Sequence, residues 1–310
     1  MRVSVVTTLF HSSDYIDEFF KRIVKVVSSV TSDFEILLVD DGSPDQSLSI
    51  AKTLLKKKYR VKIIQLSRNF GHHKALMKGL THAQGDFVFM IDCDLEEPPE
   101  LFKPLYEKLR SASKENPIDV IQAVQNSRKG GVFEKLGGHI FYQLFNSMSS
   151  VRIPENSMMA RLVTRRFLKA LLQHEEREYF LSGLVSLTGF RQEIFIAEKS
   201  FKGKTTYSFS RRVLSALTAI TSFSDKPLFF IFYSGIVLSS IAFLGIIALV
   251  ISFSFFGVRY LTGWASIVLI SCLLGGFGIA SIGVVGLYLG RVFIEVKKRP
   301  SIVMDIFSNY

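Results

Sequence analysis

The stretch FVFMIDCDLEEPPE, residues 87–100, indicates the fold of the chain and where its chemistry lies. An apolar run leads directly into five carboxylates: Asp92, Asp94, Glu96, Glu97 and Glu100. A short apolar run of this kind is typical of a buried strand. Alternate residues of an extended chain share a face, so Asp92 and Asp94 are expected to point the same way, and Glu96 joins them if the chain turns.

Other apolar runs alternate with helical patterns through the first part of the chain. Strands are expected at 3–10, from 34 onward, at 61–67, 87–92 and 118–124, with helices at 14–30 and 71–85. This alternation predicts an α/β fold with parallel pairing through right-handed crossovers. Ligands of such sheets bind beyond the carboxyl ends of the strands. One crevice is therefore expected to gather Asp40, Asp41, Asp92, Asp94 and Arg128.

The carboxylates of this crevice suggest a cation. Clustered carboxylates repel one another unless a positive charge lies between them, and oxygen ligands suit Mg²⁺ or Mn²⁺, with Mg²⁺ often shared with substrate phosphates. The alternative is that Glu96, Glu97 and Glu100 only favour a helix N-terminus. We accept that alternative for Glu97 and Glu100, and we predict metal or phosphate chemistry at Asp92 and Asp94.

The second part of the chain carries a membrane signal. Hydrophobic residues make up 48% of the sequence, charged residues only 21%, and mean hydropathy is +0.29. Charged residues are missing from 227–258 and from 260–290. A spanning helix needs about 20 apolar residues, so we expect a hairpin of two transmembrane helices, at about 228–254 and 264–288, rather than two buried core helices.

Basic residues on the flanks of the hairpin indicate its orientation. They are Arg211, Arg212 and Lys226 before it, and Arg291, Lys297, Lys298 and Arg299 after it, against Arg259 alone between the spans. Such a bias predicts that both ends are cytoplasmic. The expected organisation is a catalytic domain at 1–205, an interfacial amphipathic helix at 206–226, the hairpin at 227–290 and a cytoplasmic basic tail at 291–310. Gly286 and Gly290 leave open packing within the hairpin or a homo-oligomer.

The formal net charge of +11 limits the classes of binding partner to be considered. A basic surplus suits nucleic acid, anionic lipid or a phosphorylated substrate. The expected membrane hairpin and the acidic crevice favour lipid and phosphate over nucleic acid.

The order of motifs resembles glycosyltransferase family 2. The motifs are DDGS (40–43), LSRNFGHHKAL (66–76), DCDLEEPPE (92–100), GKTTYS (203–208) and GLYLGRVFIEVKKRP (286–300). Together with the two apolar stretches they are similar to the polyisoprenyl-phosphate glycosyltransferases, relatives of dolichol-phosphate mannose synthase and of bacterial O-antigen glucosylation enzymes. The resemblance implies a GT-A, Rossmann-like catalytic domain, a divalent metal, and inverting sugar transfer from a nucleotide diphosphate sugar to a polyprenyl phosphate.

The resemblance also implies roles for individual residues. Metal ligands are expected at Asp92, Asp94 and Glu96, where Glu96 replaces the usual glutamine. Donor binding is expected at Thr8, Asp40, Asp41, Arg68 and Asp92. Catalysis is assigned to Asp94, Asp92 and Arg128. Contacts to the acceptor phosphate are expected from Arg128, Arg161, Lys202, Lys204, Arg211 and Arg212.

Several positions depart from the family pattern, among them Gln125 and Met159. Gln125 stands where an arginine is usual, and Met159 stands where many members carry an acidic residue near the active site. The expected function is a multi-pass enzyme of the cytoplasmic (inner) membrane that makes a lipid-linked monosaccharide for cell-envelope glycans. The alternatives are direct transfer to a glycan or lipid-linked oligosaccharide, and a catalytically inactive membrane adaptor.

Overall fold

The computed structural model describes residues 1–113, 115–126, 142–149, 151–176, 179–198, 220–256 and 263–310. Their strands are β1 Val3–Leu9, β2 Phe34–Asp40, β3 Arg60–Leu66, β4 Phe87–Met90, β5 Val120–Gln125, β6 Ser157–Thr164, β7 Gln192–Ala197 and β8 Val303–Ser308. Their helices are α1 Ile16–Ser28, α2 Ser47–Leu54, α3 His72–His82, α4 Phe102–Arg110, α5 Arg165–Leu171, α6 Leu181–Leu187, α7 Lys226–Phe256 and α8 Trp264–Lys297.

All eight strands belong to one sheet, in the order β7-β5-β6-β4-β1-β2-β3-β8. The strands from β4 to β3 run parallel, as does the pair of β5 and β7. Strand β6 lies antiparallel between β4 and β5, and β8 pairs antiparallel with β3. The predicted α/β fold with a mostly parallel sheet is confirmed.

Two apolar layers cover the sheet. Every residue of β2 is buried, so this strand carries side chains to both faces, which explains the apolar run from Ile36 to Val39. Helix α1 packs one stripe of residues on the first face: Ile16, Phe19, Phe20, Ile23, Val24 and Val27. Helices α3, α5 and α6 cover the opposite face, where Leu76, Phe167 and Leu184 are fully buried.

Two long helices, α7 and α8, occupy the region where the hairpin is predicted. Among the described residues, Leu273–Lys297 is the single stretch long and apolar enough to cross a membrane, while the apolar stretch Lys226–Leu238 is shorter. Two spans are therefore not confirmed. The expected interfacial helix at 206–226 falls mostly on residues outside the description.

The expected basic tail at 291–310 is wrong as a structural unit. Helix α8 continues to Lys297, beyond the predicted end at 288, and residues 303–308 form β8. Side-chain contacts reinforce this pairing, because the Asn309 amide donates to the carbonyls of Leu55, Lys57 and Tyr59. The end of the chain thus belongs to the sheet.

Candidate active site

Three neighbouring strands bring polar residues to one edge of the sheet. Strand β1 lies between β4 and β2, and all three run in the same direction. Thr8 lies at the end of β1, Asp40 ends β2, and Asp92 follows β4 by two residues. The topology brings the strand ends that carry Asp40 and Asp92 to one edge of the sheet. Arg128 lies outside the described residues, so a shared crevice stays a prediction.

The two aspartates after β2 are buried and have different roles. Asp41 accepts hydrogen bonds from the backbone N–H groups of Phe70 (2.7 Å) and Gly71 (3.0 Å), at the start of α3. Burial raises the pKa of Asp41, and these two hydrogen bonds oppose the rise. Burial also raises the pKa of Asp40 to about 6, and the charges of Asp41 and Asp45 add to the shift. The surroundings of Asp40 therefore disfavour the charged form of its carboxyl group.

Gly42 allows the chain to leave β2 beside the segment that precedes α3. Its φ is +62°, and a Cβ atom at this position would lie 2.5 Å from the carbonyl carbon of Arg68. Only glycine fits both conditions. The sequence Asp-Asp-Gly therefore reflects a close approach of two backbones that keeps Asp41 within reach of α3.

His72 lies between the ends of β1 and β4. Its Nδ1 atom is 2.9 Å from the Thr8 hydroxyl, and its Nε2 atom is 3.4 Å from Asp92 Oδ1. Burial lowers the pKa of His72, and the nearby carboxylates of Asp41, Glu97 and Asp94 oppose this shift. Burial, with the charges of His72 and Arg161, lowers the pKa of His73 to about 3.

The chain turns after β4 and does not stay extended. Strand β4 ends at Met90, Leu95 has a φ of +62°, and the backbone N–H of Glu96 donates to Asp94 Oδ1 over 3.1 Å. The expectation that Asp92 and Asp94 share the face of a strand is therefore wrong. A left-handed leucine is a strained conformation that persists where the surroundings impose it.

The donor chemistry of this turn fits a divalent cation. Asp92, Asp94 and Glu96 are all carboxylates, and all three are partly exposed. Among the described residues, no group of three or more His, Cys, Asp or Glu side chains is arranged to hold a metal ion. The three carboxylates are thus not preassembled. Because Mg²⁺ usually takes one or two carboxylates and completes its shell with water and substrate phosphates, their assignment as ligands stays a prediction.

A buried ionic group lies beneath this turn. The carboxylate of Glu97 accepts backbone hydrogen bonds from Met159 (2.8 Å) and Ala160 (2.6 Å) of β6. Arg161, in the same strand, is only 1% exposed and donates to Ser182 over 2.7 Å. Burial lowers the pKa of Arg161 to about 10, while Glu97, Tyr142 and Asp92 oppose the shift, so the guanidinium stays charged. The interpretation of Glu97 as a simple helix N-terminus residue is wrong.

Some of the remaining predicted site residues lie within the described part of the chain, and the others lie outside it. Arg68 lies over the ring of Phe70, 4.3 Å from its centre, and donates to the Asn69 carbonyl; its charge also acts on Asp41. Gln125 ends β5, and its backbone N–H donates to the carbonyl of Asn156. The other basic candidates lie outside the described residues: Arg128, Lys202, Lys204, Arg211 and Arg212.

Comparison with known proteins shows which family the chain is similar to. The profile of Glycosyl transferase family 2 matches residues 4–172. A Mycobacterium tuberculosis (strain CDC 1551 / Oshkosh) protein described as a glycosyltransferase is 44% identical over 310 residues, covering 100% of this chain and 89% of its own. The prophage bactoprenol glucosyl transferase homolog of Escherichia coli (strain K12) is 32% identical over 307 residues, covering 98% of both chains.

The fold is also found in a solved structure. The mannosyltransferase PcManGT from Pyrobaculum calidifontis, in complex with GDP-Man and Mn²⁺, matches with a TM-score of 0.52 and 16% identity. The match covers 71% of this chain and 63% of that protein. At this identity the similarity concerns the fold alone.

Proposed function

The chain belongs to glycosyl transferase family 2, and we propose that it transfers a sugar from a nucleotide diphosphate sugar to a polyprenyl phosphate, at the inner face of the cytoplasmic membrane. It is a glycosyltransferase, as its relatives are. The match to the bactoprenol glucosyl transferase homolog runs through the apolar helices as well as the sheet. This supports undecaprenyl phosphate as the acceptor and a lipid-linked monosaccharide for cell-envelope glycans as the product.

The observation that carries the proposal is the pairing of β8 with β3. Strand β8 follows the apolar helices α7 and α8, yet it belongs to the same sheet as β1, β2 and β4. The acidic crevice is therefore connected to the apolar helices in two ways. Helix α7 follows the catalytic domain in sequence, and β8, which follows α8, pairs with β3. A soluble nucleotide sugar and a lipid phosphate could meet at such a site.

The same pairing supports the hairpin topology. Because β3 and β8 are hydrogen-bonded partners, the segment between them crosses a membrane an even number of times. Helix α8 contains a stretch of spanning length, so α7 is proposed as the second span. Both helices expose large apolar side chains, including Phe230 (72%), Phe255 (80%) and Ile279 (74%), which suits contact with lipid. Residues 1–205 together with β8 would then be cytoplasmic, as would both termini.

The crevice would bind the donor through its acidic rim. Asp40 and Asp41 are proposed near the base and ribose, with Thr8 and Arg68 beside them. Asp92, Asp94 and Glu96 are proposed to hold Mg²⁺ or Mn²⁺ with the diphosphate. When bound, such a cation supplies positive charge to the leaving diphosphate. The chain itself contributes position, because Asp41 fixes the start of α3 and Glu97 fixes the turn against β6.

The transfer makes and breaks one bond each at the anomeric carbon. An oxygen of the lipid phosphate forms the new bond from the opposite face, while the bond to the nucleotide diphosphate breaks and the diphosphate takes the electron pair. The acceptor oxygen is already anionic near neutral pH, so a strong base is not needed. This is consistent with Met159 at a position where relatives carry an acid. Inversion follows from attack on the opposite face.

Positive charge is needed to hold the acceptor phosphate. Arg161 contributes a buried guanidinium whose Nε and Nη1 atoms have no hydrogen-bond partner in the described part of the chain, which supports an anion nearby. Arg128, which follows β5 in sequence, is proposed beside it. Lys202, Lys204, Arg211 and Arg212 are proposed on the segment that leads to the membrane.

The reaction can be tested with the full chain in detergent, undecaprenyl phosphate and Mg²⁺ or Mn²⁺. A panel of UDP-, GDP-, CDP- and dTDP-sugars is screened for release of nucleotide. We expect release with one donor, dependent on lipid and on metal, and its loss in Asp94→Ala. Release without lipid but with a glycan acceptor would favour direct glycan transfer. Nucleotide binding without release under any condition would favour an inactive adaptor.

A further inference from the structure

His72 lies close to the ends of three strands, β1, β2 and β4. It is the first residue of α3, and its ring reaches the Thr8 hydroxyl at the end of β1 and Asp92 after β4. Its backbone is fixed to β2, because Asp41 accepts the N–H groups of the two preceding residues, Phe70 and Gly71. A single imidazole therefore connects both sides of the crevice, and its own position is set by the third strand.

The neighbours of the ring define which nitrogen carries the proton. At least one ring nitrogen carries a proton, and where only one does, the other accepts. Nε2 is buried, has no hydrogen-bond partner among the described residues, and faces the carboxylate of Asp92, which accepts hydrogen bonds only. A lone pair at Nε2 would repel that carboxylate, so the proton belongs on Nε2. Nδ1 then accepts from the Thr8 hydroxyl, 2.9 Å away.

Asp92 lies beyond the end of its strand. Strand β4 ends at Met90, and the chain after Asp92 enters the turn at Leu95. The Asp92 side chain is 33% exposed, so it is not fixed by close packing. A hydrogen-bond donor can fix the rotation of a carboxylate and so keep it facing the substrate. Such donors are common beside metal ligands.

We propose that His72 is a positioning residue, which donates its Nε2–H to Asp92 and holds that carboxylate towards the diphosphate and cation of the donor. Thr8 completes the arrangement by keeping the acceptor nitrogen on the opposite side of the ring. The inference rests on the proposed function only for the identity of the donor as a diphosphate with a cation. The 3.4 Å distance is longer than an ordinary hydrogen bond, and we expect it to shorten when the donor binds.

Two amide substitutions separate the nitrogens of the ring. The side-chain nitrogen of His72→Gln reaches the place of Nε2, whereas that of His72→Asn reaches only the place of Nδ1. Binding of Mn²⁺ to the full chain in detergent is measured by electron paramagnetic resonance, with UDP and separately with GDP. We expect His72→Asn to weaken Mn²⁺ binding about tenfold or more, and His72→Gln to stay within about threefold of the unchanged chain.

A second pair of variants tests the hydroxyl. Thr8→Val keeps the shape of the side chain but removes the donor to Nδ1, and it is expected to weaken Mn²⁺ binding by a smaller factor than His72→Asn. Thr8→Ser, which keeps the hydroxyl, is expected to bind as the unchanged chain does. This pair decides the question if His72→Asn does not fold, as checked by its thermal unfolding.

The outcomes separate this inference from the proposed function. Equal Mn²⁺ affinity of His72→Asn and His72→Gln would overturn the positioning role, as would absence of Mn²⁺ binding by the unchanged chain with either nucleotide. Sugar transfer to undecaprenyl phosphate would stand in the first case. Conversely, a clear difference between the two variants without any transfer to the lipid would support the role of His72 and remove the proposed acceptor.

Discussion

Tyr310 donates a hydrogen bond from its phenolic hydroxyl to Glu35 Oε2, 2.6 Å away. The acceptor lies at the start of β2, fully buried, where Ser4 and Arg2 also donate to it. The two residues are 275 positions apart in sequence. A contact this remote joins the segment after the apolar helices to the centre of the sheet.

Removing the Tyr310 hydroxyl is expected to destabilise the sheet. Tyr310→Phe takes one donor from a buried carboxylate, and a hydrogen bond to a charged group is worth about 1.5–3 kcal/mol. Chemical denaturation of the chain in detergent, followed by far-UV circular dichroism, measures the change. Tyr106→Phe is the matched control, because the Tyr106 hydroxyl reaches only the Met1 sulfur. Equal effects of the two substitutions would contradict the role of Tyr310.

The same contact predicts a pH dependence. Burial tends to raise the pKa of Glu35, but hydrogen bonds from Ser4, Tyr310 and Gln84 outweigh it, so the pKa lies below its ordinary value. A carboxylate with a depressed pKa contributes stability above its unfolded-state pKa, and the contribution is lost as pH falls through the folded-state pKa. The stability difference between Tyr310→Phe and the unchanged chain should therefore shrink in acid, and a difference independent of pH would exclude the charged pair.

Asp40 is expected to reduce the stability of the fold at neutral pH. Its pKa is raised to about 6 by burial, above the ordinary value of about 3.9. An aspartate with a raised pKa favours folding less as pH rises from about 4 to about 6, and the loss is complete above that range. Asp40→Asn should therefore raise the thermal midpoint at pH 7.5 and have little effect near pH 4, while weakening donor binding. A stabilisation that is equal at both pH values would contradict the pKa shift.

Glu97 and Glu100 are neighbours in sequence but are expected to respond differently to the same substitution. Glutamine at Glu97 keeps one acceptor and turns an amide donor towards the backbone N–H of Met159 or Ala160, a loss of about 2 kcal/mol. Glutamine at Glu100 weakens a largely exposed ion pair with Arg22, worth below about 1 kcal/mol. Denaturant titration compares the two variants, and a larger effect at Glu100 would contradict the structure.

The hairpin topology can be tested with cysteine labelling. In a chain without Cys93 and Cys272, Tyr260→Cys should react with a membrane-impermeant maleimide added outside intact cells. Ser308→Cys should react only after the cells are opened, because β8 shares the sheet of the catalytic domain. Labelling of both positions from outside, or of neither, would contradict the two-span proposal.

The parts of the fold that could be predicted from sequence were those with local signals. Strands β1 to β5 are rich in apolar and β-branched residues, and their alternation with helices predicted the parallel sheet. Strands β6, β7 and β8 were not predicted, because each depends on a partner remote in sequence. The register of Lys62 with Ser308 shows this for β8. No pattern within residues 303–308 specifies which strand they join.

The site, like the fold, could be predicted only in part. The ends of β2 and β4 placed Asp41 and Asp92 at one edge, since parallel strands end together. The turn through Leu95 was missed, and so was the bridge made by His72, which depends on how α3 packs against β1. Glu97 was misassigned because its sequence context does not differ from that of Glu100, and only the approach of β6 buries it.

The place of β8 also fixes the order in which the protein can be made. Strand β3 presents an unpaired edge until residues 303–308 have been synthesised, and α7 and α8 are synthesised before them. Under the proposed topology the final strand docks only after both helices have entered the bilayer and returned the chain to the cytoplasm. A chain that fails at insertion would keep an open sheet edge, a feature prone to aggregation. Closure of the sheet would thus mark each molecule as correctly inserted.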